Sequence, residues 1–178
     1  NDTVDYGYVD HGISIDLATG GSGGGDVFVS IENLRGGRFS DRLYGDDGAN
    51  RLYGENGNDR LTGRAGDDWL DGGFGADVLD GGAGNDTASY ANTVVGVLVD
   101  LAAGGTGGGD VFIDIENLEG GRFNDRLYGD AGSNVLIGGD GDDMLSGRDG
   151  DDTLIGGAGA DELKGGSGVD TADYAAHA

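Results

Sequence analysis

Glycine recurs every nine residues through two long stretches of this chain, and this spacing constrains the fold more than any other feature. Residues 36–89 and 120–173 each divide into six nonapeptides. Position 1 is glycine in all twelve, position 6 is aspartate in all but Asn50 and Asn134, and position 8 is leucine in all but two. Such a repeat is typical of solenoids, in which each turn buries its apolar side chain by stacking on its neighbours.

Each nonapeptide combines a glycine-rich part with a strand-forming part. Positions 7 to 9 predict a three-residue strand whose middle side chain points one way while its neighbours point the other way. Glycine in the first six residues allows positive φ angles and tight backbone curvature. The leucines at position 8 are therefore expected to form an interior file, which in the first array comprises Leu43, Leu52, Leu61, Leu70 and Leu79.

The nonapeptides resemble the repeat G-G-x-G-x-D-x-U-x of RTX (repeats-in-toxin, haemolysin-type calcium-binding) proteins. They depart from it at position 4 of the first turn of each array, where Phe39 and Phe123 replace glycine. The resemblance implies an all-β fold, a right-handed parallel β-roll or calcium-stacked β-helix solenoid, whose successive turns alternate between two sheets. It also implies a bacterial protein that is exported by a type I secretion system and is secreted or held at the cell surface.

A longer repeat is superimposed on the nonapeptides, because Tyr6, Tyr90 and Tyr174 are equally spaced along the chain and begin similar sequences. It predicts two tandem cassettes, each with a short strand-rich head followed by a roll. The predicted parts are the end of a preceding cassette (1–5), head 1 (6–35), roll 1 (36–89), head 2 (90–119), roll 2 (120–173) and the start of a further head (174–178). We therefore expect the chain to be a piece of a longer protein.

The heads carry apolar residues in alternation, as in a half-buried strand. Head 1 has Ile13, Ile15 and Leu17, a glycine-rich turn, and then the run VFVSIENL; head 2 has the corresponding pattern ending in VFIDIENL. Because terminal repeats of solenoids need caps, we interpret the heads as caps or as elements that continue the solenoid, in preference to ligand-binding segments.

Alternation between two sheets would place turns i and i+2 about 4.8 Å apart, so that their position-6 side chains converge. Ca²⁺ accepts about six to eight oxygen ligands from carboxylates and backbone carbonyls, whereas Mg²⁺ requires tighter octahedral geometry. Eight pairs and about six to eight calcium ions are expected, with the pairs that touch Phe39, Phe123, Asn50 or Asn134 the weakest. The pairs are Asp41/Asp59, Asn50/Asp68, Asp59/Asp77, Asp68/Asp86, Asp125/Asp143, Asn134/Asp152, Asp143/Asp161 and Asp152/Asp170. The glycines expected to expose their carbonyls are Gly45, Gly48, Gly54, Gly57, Gly63, Gly66, Gly72, Gly75, Gly129, Gly132, Gly138, Gly141, Gly147, Gly150, Gly156 and Gly159.

The charge balance restricts the partners. The chain has 34 acidic and 10 basic residues, with a net charge of −24, so it repels phosphate and is not expected to bind nucleic acid. It contains no Cys, which excludes disulfides and thiolate metal sites. It also lacks the run of about 20 apolar residues that a membrane span requires. We expect a monomer whose principal partners are calcium ions and the secretion machinery.

Calcium binding and folding are expected to be one event, so that the chain is disordered at low calcium and folds outside the cell. The alternative is a calcium-rigidified adhesion or polysaccharide-binding module, which uses outward residues such as Tyr44 and Trp69 against a cell-surface glycan or protein. Catalysis is not expected, because carboxylates held on calcium cannot transfer protons, and because His11 and His177 do not occupy equivalent positions.

Overall fold

The computed structural model describes residues 2–22, 26–106 and 108–173. In these residues all regular secondary structure is β, as expected. The chain divides into two compact units: the first comprises Asn1–Ala88 and Gly108–Ile115, and the second comprises Ser89–Gly107 and Glu116–Ala178. The predicted further head at 174–178, with His177, lies outside the described residues.

Twenty short strands make up this structure. The first ten are β1 (Thr3–Asp5), β2 (Ser14–Asp16), β3 (Gly21–Ser22), β4 (Asn33–Arg35), β5 (Arg42–Tyr44), β6 (Arg51–Tyr53), β7 (Arg60–Ala65), β8 (Trp69–Asp71), β9 (Val78–Ala83) and β10 (Thr87–Ser89). The others are β11 (Leu98–Asp100), β12 (Gly105–Thr106), β13 (Val111–Ile113), β14 (Asn117–Glu119), β15 (Arg126–Tyr128), β16 (Val135–Asp140), β17 (Met144–Asp149), β18 (Thr153–Ala158), β19 (Glu162–Ser167) and β20 (Thr171–Ala172).

The strands of the first unit form two parallel layers. One layer has the order β1, β4, β6, β8, β10, and the other has the order β2, β5, β7, β9, β13, with β3 antiparallel to β2. Within the array each strand pairs with the strand two turns away, so that Leu61 pairs with Leu43 on one side and Leu79 on the other. The expected alternation of turns between two sheets is confirmed.

The second unit repeats this arrangement. One layer has the order β14, β16, β18, β20, and the other has the order β11, β15, β17, β19, with β12 antiparallel to β11. Leu145 pairs with Leu127 and Leu163, which again lie two turns away on either side. Both units are therefore parallel β-rolls.

The core of each unit is the predicted leucine file. All five predicted leucines of the first array are at most 1% exposed. Strand alternation explains this burial, because position 8 lies between two outward-pointing neighbours. The alternating head residues Ile15, Leu17, Val99 and Leu101 are buried as well, which confirms the half-buried head strands. The remaining leucines of the file are Leu34, Leu118, Leu127, Leu136, Leu145 and Leu154.

Two local features differ from the sequence prediction. Strands β7, β9 and β16 to β19 have six residues, not three, because parallel pairing continues into the next nonapeptide, as between Arg64 and Gly82. The run VFIDIENL of head 2 is not one strand, because Asp114 has a positive φ of 48° and separates β13 from β14. The corresponding residue of head 1, Ser30, has a φ of 56°.

An arginine ties each head to its roll. Arg64 holds the Asp16 carboxylate at 2.8 Å through two nitrogens, donates to the carbonyl oxygen of Gly45, and lies 5.8 Å from the ring centre of Tyr44. Arg148 makes the equivalent bidentate pair with Asp100 at 2.7 and 2.8 Å. The φ angle of Arg64 is 86°, a region in which a side chain is strained. The ion pair therefore holds a backbone conformation that glycine adopts in other turns.

Replacement of Arg64 separates the ion pair from the strain. Arg64→Ala removes the charge-assisted contact but keeps a Cβ at positive φ, and we expect it to lower the free energy of unfolding by about 1–3 kcal/mol. Arg64→Gly removes the same contact and the strain, so it is expected to be about 1 kcal/mol more stable than the alanine variant. Urea unfolding at saturating calcium measures both. A glycine variant less stable than the alanine variant would contradict this account.

Candidate metal centre

The structure brings together all eight predicted position-6 pairs. In each pair the backbone N–H of the earlier residue donates to Oδ1 of the aspartate two turns later, at 2.7–3.2 Å. The parallel ladder fixes this register, because positions 7 to 9 of the two turns are paired immediately afterwards. Each interior aspartate, such as Asp59, therefore belongs to two pairs.

The second oxygen of these carboxylates distinguishes one group of aspartates. Its Oδ2 atom is buried and accepts no hydrogen bond from the described residues. A buried carboxylate oxygen without a partner is costly, and a cation is the ligand that would satisfy it. The group comprises Asp59, Asp68, Asp77, Asp143 and Asp152.

Burial also changes the protonation of these groups. It raises the pKa of Asp59 and Asp68 to about 7 and that of Asp77 and Asp143 to about 6, with neighbouring carboxylates adding to the rise and a backbone hydrogen bond opposing it. The charged form is thus disfavoured in the folded roll when no cation is bound.

The last two aspartates of the second array differ from the interior ones. Asp161 and Asp170 accept from the N–H groups of Asp143 and Asp152, at 3.0 and 3.2 Å, as the register predicts. However, Asp161 is only half-buried and Asp170 is exposed, because β19 and β20 are the last described strands of their layers. The expectation that only the first turns depart from the others is therefore wrong. Metal ligation by Asp161 and Asp170 stays a prediction, and it lacks the buried carboxylate oxygens that support the interior sites.

The glycines at position 1 leave room for these carboxylates. A Cβ added at Gly54 would lie 2.5 Å from the carbonyl oxygen of Gly72 and still closer to Oδ2 of Asp59. Positive φ was expected among these glycines, and this is wrong for position 1, since the positive angles of the arrays occur at positions 2 and 4, as in Gly73 and Gly57. The predicted position-1 glycines that lie beside the position-6 side chain of their own turn are Gly45, Gly54, Gly63, Gly72, Gly129, Gly138, Gly147 and Gly156.

The glycines at position 4 serve stacking instead. A Cβ at Gly66 would lie 2.6 Å from the carbonyl carbon of Gly48, two turns earlier. Gly57, Gly75, Gly141, Gly150 and Gly159 face backbone in the same way. Gly48 and Gly132 do not, because the nearest atoms there are side-chain oxygens of Asp46 and Asp130, at 3.3 and 3.2 Å.

The first turns of each array have protein partners for their position-6 side chains. Asp41 accepts hydrogen bonds from the backbone N–H groups of Ile13 and Gly37, at 2.8 and 2.7 Å. The Asn50 amide donates to the carbonyl oxygen of Glu32 at 3.0 Å, and its Oδ1 accepts from the N–H of Asp46. Asp125 and Asn134 repeat these contacts. These side chains need a cation less, which supports the expectation of weaker sites there.

A metal in these rolls would depend on backbone oxygens. Within the described ranges, no three His, Cys, Asp or Glu side chains gather in a group that could hold a metal ion. The donor set at each pair is two carboxylates or a carboxylate and an amide, with glycine carbonyls nearby, and all-oxygen sets of this kind suit Ca²⁺. No helix in the described part of the chain is long and apolar enough to cross a membrane.

An aromatic platform lies on the outer face of the first unit, formed by Arg35, Arg51, Tyr53 and Trp69. The rings of Tyr53 and Trp69 are 5.1 Å apart and tilted by 55°. Arg35 lies 5.4 Å from the centre of the Tyr53 ring, and Arg51 lies 5.7 Å from that of Trp69. Local ion pairing, expected on this surface, also occurs, as between Arg60 and Asp80 at 2.8 Å. The equivalent residues of the second cassette are Glu119, Val135, Ile137 and Thr153.

The raised pKa values predict that acid favours folding when calcium is absent. A carboxylate whose folded pKa is above its unfolded value of 3.8 contributes stability below about pH 4 that is lost as pH rises through about 6 to 7. We expect the β-sheet circular dichroism signal, measured in calcium-free buffer, to increase as pH falls from about 8 to about 5, above the range in which ordinary carboxylates titrate. A signal that is constant, or that increases with pH, would contradict this.

Comparison with known families gives one match. The model of the RTX calcium-binding nonapeptide repeat matches four times, over residues 30–61, 53–88, 104–145 and 137–172, which is more than half of the chain. The copy at 104–145 begins inside the predicted head 2. A search of curated protein sequences found no match.

Proposed function

Because the chain belongs to the family of RTX calcium-binding nonapeptide repeats, we propose that it is a calcium-driven folding region of a secreted bacterial protein. In low calcium it is an expanded acidic coil, and at extracellular calcium it folds into its two rolls. The single observation that most supports this proposal is the group of buried aspartate oxygens that accept no hydrogen bond from the described residues.

The predicted ligands fit calcium. The position-6 carboxylates and the glycine carbonyls of turns i and i+2 would hold each ion, which neutralises the charge that burial disfavours. About six to eight ions would bind, with the pairs among Asp59, Asp68, Asp77 and Asp86 the strongest. The role of calcium is structural, and the repeat family is not a catalytic one.

Coupling between sites makes this a switch. At a dissociation constant of about 0.1–1 mM and about 1 mM free calcium, each site adds about 0.4–1.4 kcal/mol to the stability of the folded state. Native stability is only about 5–15 kcal/mol, so several sites together decide between coil and roll. A coil inside the cell suits export through a type I secretion system, and folding outside opposes return. The parent protein is a toxin, adhesin or exoenzyme, and the cassettes are its repeating units.

Small-angle X-ray scattering tests the proposal. An unfolded chain of 178 residues has a radius of gyration of about 45 Å. We expect a value near this in EDTA and less than half of it in millimolar calcium, with no such decrease in magnesium. A compact chain in EDTA would contradict the proposed switch.

A second candidate function is polysaccharide binding by the aromatic platform. Its support is the pair of stacked rings beside a cavity of about 320 Å³ that Arg51, Asp67, Trp69 and Thr87 line. Aromatic rings provide rigid faces for sugar rings, and arginines add donors.

Trp69 is the only tryptophan, so its fluorescence reports on this face directly. Titration of the calcium-loaded chain with a soluble uronate polymer is expected to change the fluorescence, and Trp69→Ala is expected to abolish retention on the immobilised polymer. Thr153→Ala, the equivalent position of the second cassette, is the matched control. Equal retention by both variants would exclude the platform.

A further inference from the structure

Head 2 supplies a strand to the roll of the first unit in the register of an array turn. Strand β13 pairs in parallel with β9, so that Val111, Phe112 and Ile113 lie opposite Val78, Leu79 and Asp80. Phe112 is 9% exposed and extends the leucine file. The residue that precedes this strand, Asp110, therefore occupies the place of a position-6 aspartate.

The contacts of Asp110 match those of the array. The backbone N–H of Asp77 donates to Oδ1 of Asp110 at 2.9 Å, and the N–H of Val111 donates to the carbonyl oxygen of Asp77 at 2.8 Å. The same two contacts join Asp59 to Asp77, with Val78 as the second donor. The separation along the chain is 33 residues here and 18 in the array, so the nine-residue count does not reveal it.

Asp77 brings an unsatisfied oxygen to this place. It is 1% exposed, its Oδ1 accepts from Asp59, and its Oδ2 accepts no hydrogen bond from the described residues. In the array, Oδ2 of Asp59 lies between Gly54 and the carbonyl oxygen of Gly72, on the side that faces the following turn. Oδ2 of Asp77 lies correspondingly beside Gly72, on the side where β13 packs.

We propose that Asp77 and Asp110 hold a calcium ion additional to the eight array pairs, and that this ion fastens part of head 2 to the first roll. The inference rests on the proposed calcium-binding function and extends it to a segment that the sequence predicts to be a metal-free cap. Two carboxylates and the carbonyls of a glycine-rich approach are the same donor chemistry as in the array.

Head 1 provides an internal control. Asp26 is the equivalent residue of the first cassette, and it accepts a hydrogen bond from the Tyr6 hydroxyl at 3.2 Å. Val27 bridges Gly21 in an antiparallel arrangement and is 79% exposed, in contrast to Val111, which pairs with β9. The structure therefore gives Asp26 no array aspartate with which to share a cation among the described residues, and the two heads differ in this respect.

The test is the number of calcium ions bound by the full chain, counted by equilibrium dialysis with radioactive calcium. Asp110→Asn can still accept from the Asp77 N–H, and we expect it to bind one ion fewer than the unmodified chain. Asp26→Asn has the same change of charge and is expected to bind the full number. An Asp110→Asn chain that keeps the full number, or an equal loss in both variants, would overturn the inference. An unmodified chain that binds no calcium would instead overturn the proposed function.

Hydrogen exchange keeps the inference testable if Asp110→Asn disturbs packing. Calcium is expected to slow the exchange of the Val111 amide in the unmodified chain, because that amide donates to Asp77. In Asp110→Asn this slowing is expected to be lost at Val111 and kept at the equivalent amide of Val78. Calcium protection of Val111 that is unchanged in the variant would contradict a bound ion at this place.

Discussion

Replacement of Gly66 by alanine is expected to destabilise the first roll by about 3–5 kcal/mol, a large part of ordinary native stability. The added Cβ would lie 2.6 Å from the carbonyl carbon of Gly48 and 2.8 Å from the amide nitrogen of Ala49, and both are backbone atoms that cannot rotate away. The φ angle of Gly66, 99°, is a second source of strain. Urea unfolding at saturating calcium, followed by circular dichroism, measures the loss.

Gly48→Ala is the matched control, because Gly48 holds the same position in the nonapeptide two turns earlier. Its Cβ would meet only Oδ1 of Asp46, at 3.3 Å, and its φ is not among the positive angles. We expect a loss of less than about 1 kcal/mol. Similar losses in the two variants would mean that glycine at position 4 serves the loop itself and not the stacking of turns.

Replacement of Asp59 by asparagine is expected to raise the calcium concentration at the folding midpoint by about tenfold, or about 1.4 kcal/mol. The change is nearly isosteric, but it removes one negative charge from two adjacent pairs, Asp41/Asp59 and Asp59/Asp77. Calcium affinity depends strongly on the number of charged ligands. Calcium titrations followed by circular dichroism measure the midpoint.

The sign without calcium is expected to be the opposite. Because burial disfavours the Asp59 carboxylate and raises its pKa to about 7, Asp59→Asn should stabilise the calcium-free roll at pH 8 relative to the unmodified chain. Asp47→Asn makes the same change of charge at an exposed position and controls for net charge. A midpoint that moves equally in both variants would indicate general electrostatics in place of a ligand.

Much of the fold follows from the nonapeptide register. The period places one leucine per turn in the interior, and the resemblance to RTX repeats supplies the alternation of turns, so pairs such as Leu43 with Leu61 could be predicted. The position-6 pairs follow from the same two facts. Whether these pairs bind calcium stays a prediction, supported by oxygens such as Oδ2 of Asp68.

Features that depend on long-range partners could not be predicted. Arg64 interrupts the glycine pattern because it reaches Asp16, 48 residues earlier, and nothing in the local sequence shows that partner. The exposure of Asp170 was missed because the repeat pattern does not show which turns are covered by a neighbour. The pairing of Asp110 with Asp77 was missed because head 2 changes the spacing. One signal was present: residues 105 to 113 read GTGGGDVFI, with glycine at positions 1 and 4, aspartate at 6 and an apolar residue at 8.

Far-UV circular dichroism of the chain, first in EDTA and then through a calcium titration to about 10 mM, tests the central claim most directly. This range exceeds the dissociation constants of weak extracellular calcium sites, about 0.1–1 mM. Coupled binding and folding predicts a coil spectrum in EDTA, a cooperative change to β-sheet with calcium, and no such change with magnesium. A β-sheet spectrum already present in EDTA at neutral pH would contradict the claim, and would mean that the leucine file and the heads fold the chain without metal.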